Sequence, residues 1–322
     1  MGYITKYGSF WGMLPQTSGR IFWVAPTASY TVEGTTYAAS DGNDGLSPER
    51  ALLTLAQAVT LVTANVGDVV VLLPGTHTMT AVATLSVAGV TYTGIPGGLP
   101  LVHSRMSGQG ARGRTIVTSS AAVQTINITA ADVEVAFMHF TNVSATRSIS
   151  LSNLADRTYL HDLTFDMSGA DSTSSICIGL SFTGTGTTTL LDDVVIRNCF
   201  FAVAGAAGGA IEAANTCNNL MIEFCTFRLT GNSTWANAIL FGTGISTGVF
   251  VRDCDVLVTA TGTTVTDFFD GNTNTVDGSN CVYRCNVPVG GGAFNLAATA
   301  DGIVVDSYTA GTTGTNTVLA VT

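Results

Sequence analysis

The chain is short of charge. Of its 322 residues only 11% are Asp, Glu, Lys or Arg, against about 25% in ordinary globular proteins. The formal net charge is −10 and Lys6 is the single lysine. So few cations have little to offer a phosphate backbone, and no nucleic-acid partner is expected. Long apolar runs are missing as well. The most apolar, Val69 to Leu73, is far too short to cross a bilayer, so no membrane partner is expected. Met1 is followed by Gly, Ser and aromatic residues rather than an apolar leader core, and no secretory signal is expected. The seven cysteines cannot all pair and none forms a CxxC. The four histidines, His77, His103, His139 and His161, are not interleaved with cysteines and carboxylates at ligand spacing. No metal or cofactor is expected.

What is present is apolar and repetitive. Hydrophobic residues make up 46%, and Ser, Thr, Asn and 36 Gly supply the polarity. That is ample for a long core and excludes disorder by charge repulsion. From Asp132 a short pattern keeps returning: a polar residue, three apolar ones, two polar ones, a core residue, then more apolar positions. It reads DVEVAFMHF at 132, RTYLHDLTF at 157, DVVIRNCFF at 193, NLMIEFCTF at 219, GVFVRDCDV at 248, NCVYRCNV at 280 and GIVVDSYTA at 302. The steps of 25, 36, 26, 29, 32 and 22 residues are those of a solenoid, one coil per repeat. Cys199, Cys225, Cys254 and Cys285 hold one place in successive repeats. At about 4.8 Å per coil they sit slightly too far apart to bridge. They are expected as a column of reduced core thiols.

Strand alternation assigns faces to the pattern. Val133 and Val135, Val194 and Ile196, Leu220 and Ile222, Val249 and Val251, and Ile303 and Val305 should point inward. The residue between them should point out: Glu134, Tyr159, Val195, Met221, Phe250, Val282, Val304. Six of these seven are apolar, so the column needs a cover. Either the long turns fold over it, or it is a subunit interface, most simply in a trimer of parallel solenoids. The next outward column, Ala136, His161, Arg197, Glu223, Arg252, Arg284 and Asp306, alternates in charge. It is expected as a solvated ion-pair ladder worth at most about 1 kcal/mol per pair.

Residues 1–26 form an arm carrying Tyr3, Tyr7, Phe10, Trp11, Phe22 and Trp23, broken by Gly and Pro. It either covers the first coil or anchors the chain on a partner. Residues 27–80 are a lead-in. Ser47 and Pro48 are expected to open a helix whose apolar face is Leu52, Leu55, Ala56, Val59 and Val62, stopped by Gly67. The apolar strand Asp68 to Leu73 follows, and residues 81–322 hold the coils. Segments 166–190, 202–216, 230–247 and 259–279 are expected as long turns.

The lead-in resembles the opening of right-handed parallel β-helix proteins of the pectate-lyase-like superfamily. The match lies in Asp41-Gly-Asn-Asp-Gly45, Ser47-Pro48-Glu49, Leu55 to Ala58, Gly67-Asp68 and Leu73 to His77. The resemblance implies an all-β right-handed parallel β-helix whose open end is covered by an N-terminal α-helix. That superfamily holds lyases, hydrolases, epimerases and structural phage proteins. Its polygalacturonase pattern adds a Gly-His and an Arg-x-Lys, which are absent here. Asp192-Asp193 is the best adjacent carboxylate pair, with Glu223, Asp253 and Asp255 on later coils, yet such a pair also simply opens a strand. Gly108 to Gly113 spells GxGxxG without a flanking strand or helix and reads as a loop. Arg105, Arg112 and Arg114 make its surroundings basic, read first as a solvated loop and otherwise as a tip that docks on an acidic neighbour.

These features together lead to an expected non-enzymatic bacteriophage virion protein, a capsid decoration, cement or head-spike module. It would be made in the host cytoplasm, docked on the major capsid protein or another virion protein, and trimeric. The alternative is a tailspike-type polysaccharide depolymerase or a glycan-binding module on host-surface glycan. A depolymerase would show two carboxylates about 5–10 Å apart on one outward face.

Overall fold

A computed structural model describes the chain from residue 18 onward. It leaves out residues 33, 96–114, 121–123, 142–146, 168–176, 181–189, 204–208, 215, 230–233, 242–244, 259–263, 271–274, 278–281, 288–292, 296–303, 306–307, 311–315 and 319–322. Each repeat forms a short strand that pairs in parallel with the repeats before and after it. Glu134 lies opposite Tyr159, Tyr159 opposite Val195, Val195 opposite Met221, Met221 opposite Phe250, Phe250 opposite Val282, and Val282 opposite Val304. The same column runs back through Thr91 and Val69 to Ile21. One parallel rung per repeat, continued along the chain, is the expected parallel β-helix. Val133, Val135, Val194, Ile196, Leu220, Ile222, Val249 and Val251 all face inward, none more than 1% exposed.

The polar residues of the repeat have a backbone reason. Two places before the rung, Asp132, Arg157, Asp193 and Asn219 sit at φ of 58°, 54°, 59° and 51°, and Gly67, Gly89 and Gly248 take the same place. Just after the rung, Phe137, Asp162, Asn198, Phe224 and Asp253 have φ of 54°, 53°, 52°, 53° and 54°. One left-handed residue at each corner turns the chain sharply, at a cost of about 1 kcal/mol for each non-glycine. Asn and Asp tolerate that region best. Ladders between coils offset part of the cost. Arg157 Nε donates to Asp132 Oδ1 at 2.7 Å, Asn219 Nδ2 to Asp193 Oδ1 at 2.9 Å, and Asn198 Nδ2 to Asp162 Oδ1.

After the second corner a further row of strands continues the same sheet, so that Phe250–Val258 runs through both rows. Its inward residues stack down the axis. Phe140, Phe165, Phe201 and Phe227 stack with nearly parallel rings at centroid spacings of 5.1, 5.0 and 5.0 Å. Beside them Cys199, Cys225 and Cys254 direct their thiols at the carbonyls of Leu160, Ile196 and Ile222, each at 3.8 Å. With Cys177 and Cys217 these thiols are buried and in no disulfide, while the side chain of Cys285 lies outside the described residues.

An eight-stranded sheet closes the solenoid and includes Ile126–Ile128, Ile149–Leu151, Ile178–Leu180, Ile211–Ala213, Thr234–Phe241 and Thr264–Asp270. Four of these strands lie inside segments expected as turns. Their inward pairs Ile178/Leu180, Ile211/Ala213 and Ile239/Phe241 are buried, with only a Gly, Glu or Leu between them. Ile178–Leu180 and Ile211–Ala213, at three residues each, are too short to announce themselves by alternation.

The lead-in helix is shorter than its spacing suggested. Pro48–Arg50 forms a 3-10 turn, and the α-helix runs from Leu55 to Leu61 with Thr54, not Ser47, as its cap. The intervening residues are extended because Leu52 bonds both ways to the first strand, Ile21–Val24: its N–H to Trp23 O at 2.8 Å and its carbonyl to Ala25 N at 2.9 Å. Asp41 holds that geometry by accepting from Leu53 N at 3.0 Å and Thr54 N at 2.8 Å. Leu55, Ala58 and Val59 then cover the core above Phe22 and Val70.

Candidate functional site

Phe22 and Trp23, expected as anchoring rings, are 2% and 1% exposed. They belong to Ile21–Val24, the first rung, where alternation sends Phe22 into the core and Trp23 outward beneath a roof. The roof is the antiparallel hairpin of Ser29–Val32 and Thr35–Ala38. It packs Tyr30, Ala39 and Ala51 on Trp23, Val69 and Val71. Tyr3, Tyr7, Phe10, Trp11, Arg105, Arg112 and Arg114 lie outside the described residues, as does the Gly108 to Gly113 loop. Val282 and Val304 hold their places in the column, but their side chains are outside the description.

Further along the column the sheet is open. Tyr159, Val195, Met221 and Phe250 are each partly exposed in the isolated chain. Beside them the charged column is more tightly built than a solvated ladder. Glu223 is only 4% exposed. It accepts from Arg252 Nε at 2.9 Å and Nη2 at 2.8 Å, with Arg197 Nε at 3.4 Å on its other oxygen. A carboxylate that buried depends on its cations, Arg252 above all.

The most concentrated chemistry sits where the two columns meet. His161 lies between two carboxylates, with Nε2 donating to Glu134 Oε1 at 2.8 Å and Nδ1 to Asp162 Oδ2 at 2.7 Å. Glu134 comes from the preceding rung and Asp162 from the left-handed corner after it, so the repeat itself assembles the group. Thr91 Oγ1 donates to Glu134 Oε2 at 2.9 Å, and Asn198 from the next coil donates to Asp162 Oδ1. Tyr159 stacks on the imidazole at 4.2 Å and Phe137 meets it edge-on at 5.6 Å. Burial alone would push His161 down, but the two carboxylates outweigh it and raise it to about 9. The hydrogen bond from His161 in turn lowers Glu134. Below that pH the imidazole is a fixed cation, and any proton accepted here goes to a carboxylate. One ring thus holds the carboxyl groups of Glu134 and Asp162 on its two sides, each within hydrogen-bond reach.

None of these three residues was singled out from sequence as a cluster. The usable signal was the His161-Asp162 dipeptide at the place where other repeats carry Arg197-Asn198 and Glu223-Phe224, with Glu134 one rung back. The adjacent Asp192-Asp193 pair is structural. Asp193 is a corner residue, and Asp192 closes the strand Leu191–Asp192. Farther along the face Phe224 is 46% exposed, with the Arg197 guanidinium 5.3 Å from its ring centroid. Among the described residues no group of three His, Cys, Asp or Glu could hold a metal ion, and no helix is long and apolar enough to cross a membrane.

No protein family and no curated protein matches the chain. Solved structures with the same fold do. Pectin methylesterase PemA from Erwinia chrysanthemi is 12% identical over 96% of this chain and 92% of its own, at a TM-score of 0.47. A rhamnogalacturonan lyase is 14% identical over 77% and 84%, at 0.37. ORF18 of Geobacillus virus E2 is 11% identical over 79% and 56%, at 0.30. These likenesses are of fold alone; the parallel β-helix is shown by the chain's own rung-by-rung pairing. The expectation of a non-enzymatic protein is corrected accordingly. Lyases and esterases stand among its structural neighbours, so the fold gives no ground for excluding catalysis.

Proposed function

We propose that this chain is a bacteriophage virion protein, a rigid β-helix that docks on neighbouring virion proteins through the outward face of its long sheet. The observation that supports this reading is the in-register column Tyr159, Val195, Met221 and Phe250. It is partly exposed and apolar, in a fold that roofs the same column at Ile21 and Val69. Apolar rows of this kind gain most by association with a second surface. The neighbour is the major capsid protein, another virion protein, or copies of the chain in a trimer. Cryo-electron microscopy of intact particles tests it. The solenoid should be found on the particle, with this column against a neighbour. Solenoids absent from the particle, or seated with the column facing solvent, would remove the proposal.

A second reading rests on the Glu134–His161–Asp162 group and the rings beside it. Two carboxylates gathered on one imidazole and flanked by Tyr159 and Phe137 suit the hydroxyls and ring faces of a polysaccharide. Incubation with host-surface polysaccharide should then yield new reducing ends, unsaturated products or, by hydrolysis of its esters, free acid and alcohol, and Glu134→Gln should slow the reaction at least tenfold. Unchanged polysaccharide after prolonged incubation would exclude this second reading while leaving the first intact.

A further inference from the structure

A cleft of about 150 Å³ opens near the N-terminal end of the solenoid. It lies between the start of the helix Leu55–Leu61 and the strand Gly75–Met79 with the turn that follows. Ala25, Pro26, Leu55, Met79 and Val82 give it apolar walls, and His77 lines it as well. His77 and Met79 share a face because they are two apart on one strand.

His77 is the unusual group. It is 4% exposed, and its Nε2 lies 2.8 Å from the carbonyl oxygen of Leu73. A carbonyl only accepts, so the proton sits on Nε2 and the neutral ring keeps a lone pair on Nδ1. Among the described residues no donor meets that nitrogen. Burial pushes the imidazole down to about 4, so the lone pair persists through neutral pH.

The cleft therefore offers an apolar side, Ala25, Pro26, Leu55, Met79 and Val82, bordered by Thr54, Thr78 and Thr80, and an imidazole nitrogen free to accept. Its volume is close to the roughly 150 Å³ of an apolar cavity that holds benzene. We propose that it binds one small aromatic ring bearing a hydrogen-bond donor, a phenol, with the hydroxyl on His77 Nδ1 and the ring against Leu55, Pro26 and Met79. A thioether beside an aromatic ring adds a favourable contact. The same chemistry comes either as a free phenolic molecule or as a tyrosine side chain of a partner.

The test titrates phenol and toluene into the full chain, followed by calorimetry and by the ¹⁵N resonances of His77. Phenol should saturate and shift the Nδ1 resonance. Toluene, the same ring without the donor, should bind about tenfold more weakly. Ala56→Phe, at an exposed position on the cleft wall, should abolish phenol binding with folding unchanged. N-acetyltyrosinamide bound as well as phenol assigns the site to a tyrosine side chain; its failure beside phenol binding assigns it to a free phenol. Phenol that does not saturate, toluene equal to phenol, or binding that survives Ala56→Phe overturns the proposal.

Discussion

His161 should tie the stability of the fold to alkaline pH. Its ring is held at about 9 in the folded chain by Glu134 and Asp162, against about 6.5 in an unfolded one. Between those values the folded state keeps a proton that the unfolded state has lost. The contribution is therefore complete below about pH 6.5, declines as pH rises, and is gone above about 9. A difference of that size corresponds to about 3 kcal/mol. The side chain is 12% exposed, so little of it is lost to solvent screening. Denaturant unfolding of the wild type and His161→Gln, measured at several values from pH 6 to 10, isolates the effect from other titrating groups. The two stability curves should converge as pH rises, from a gap of a few kcal/mol at pH 6 to a much smaller one at pH 10. Parallel curves across that range, or an NMR titration placing His161 near 6.5, would refute the reasoning.

Other consequences follow from the core and the corners. Phe201→Ala removes the ring stacked between Phe165 and Phe227 and should cost about 3–5 kcal/mol in denaturant unfolding. Asn198→Ala should destabilise more than Asn198→Gly, by about 1 kcal/mol, since both lose the bond to Asp162 but only alanine resists φ of 52°. Burial raises Cys177 and Cys225 and lifts Cys217 to about 12. All five described thiols, Cys177, Cys199, Cys217, Cys225 and Cys254, are buried and should react with a thiol reagent only on unfolding, as read by mass spectrometry of labelled peptides.

The first long-sheet row was legible because the repeat is dictated twice. Alternation places the inward valines, and the corners demand a residue that tolerates positive φ, which is why Asp132, Asp193 and Asn219 recur where Gly248 also appears. Together these give the register rung by rung. The second sheet was not legible from the same signal. Most of its rungs are three residues long, with turns of changing length between them, so the Ile-x-Leu pairs at 149 and 178 never build a period. The lead-in helix was half read: its apolar spacing is real, but Leu52 is claimed by backbone pairing with Trp23, which spacing cannot reveal. Nor could one dimension show that Glu134 and His161, assigned to different columns, meet diagonally across neighbouring rungs. Phe22 and Trp23 were grouped with the arm by composition, whereas pairing of Ile21–Val24 with Val69–Leu72 makes them core and roof.

Met221 offers the most direct test of the claim that the long-sheet face is the working surface. It stands in the open column between Val195 and Phe250 and is partly exposed in the isolated chain. Hydroxyl-radical footprinting with mass spectrometry can compare its oxidation in the purified chain and in intact particles. Docking through this face predicts ready oxidation in the free chain and strong protection on the particle. Equal oxidation of Met221 in both would contradict it.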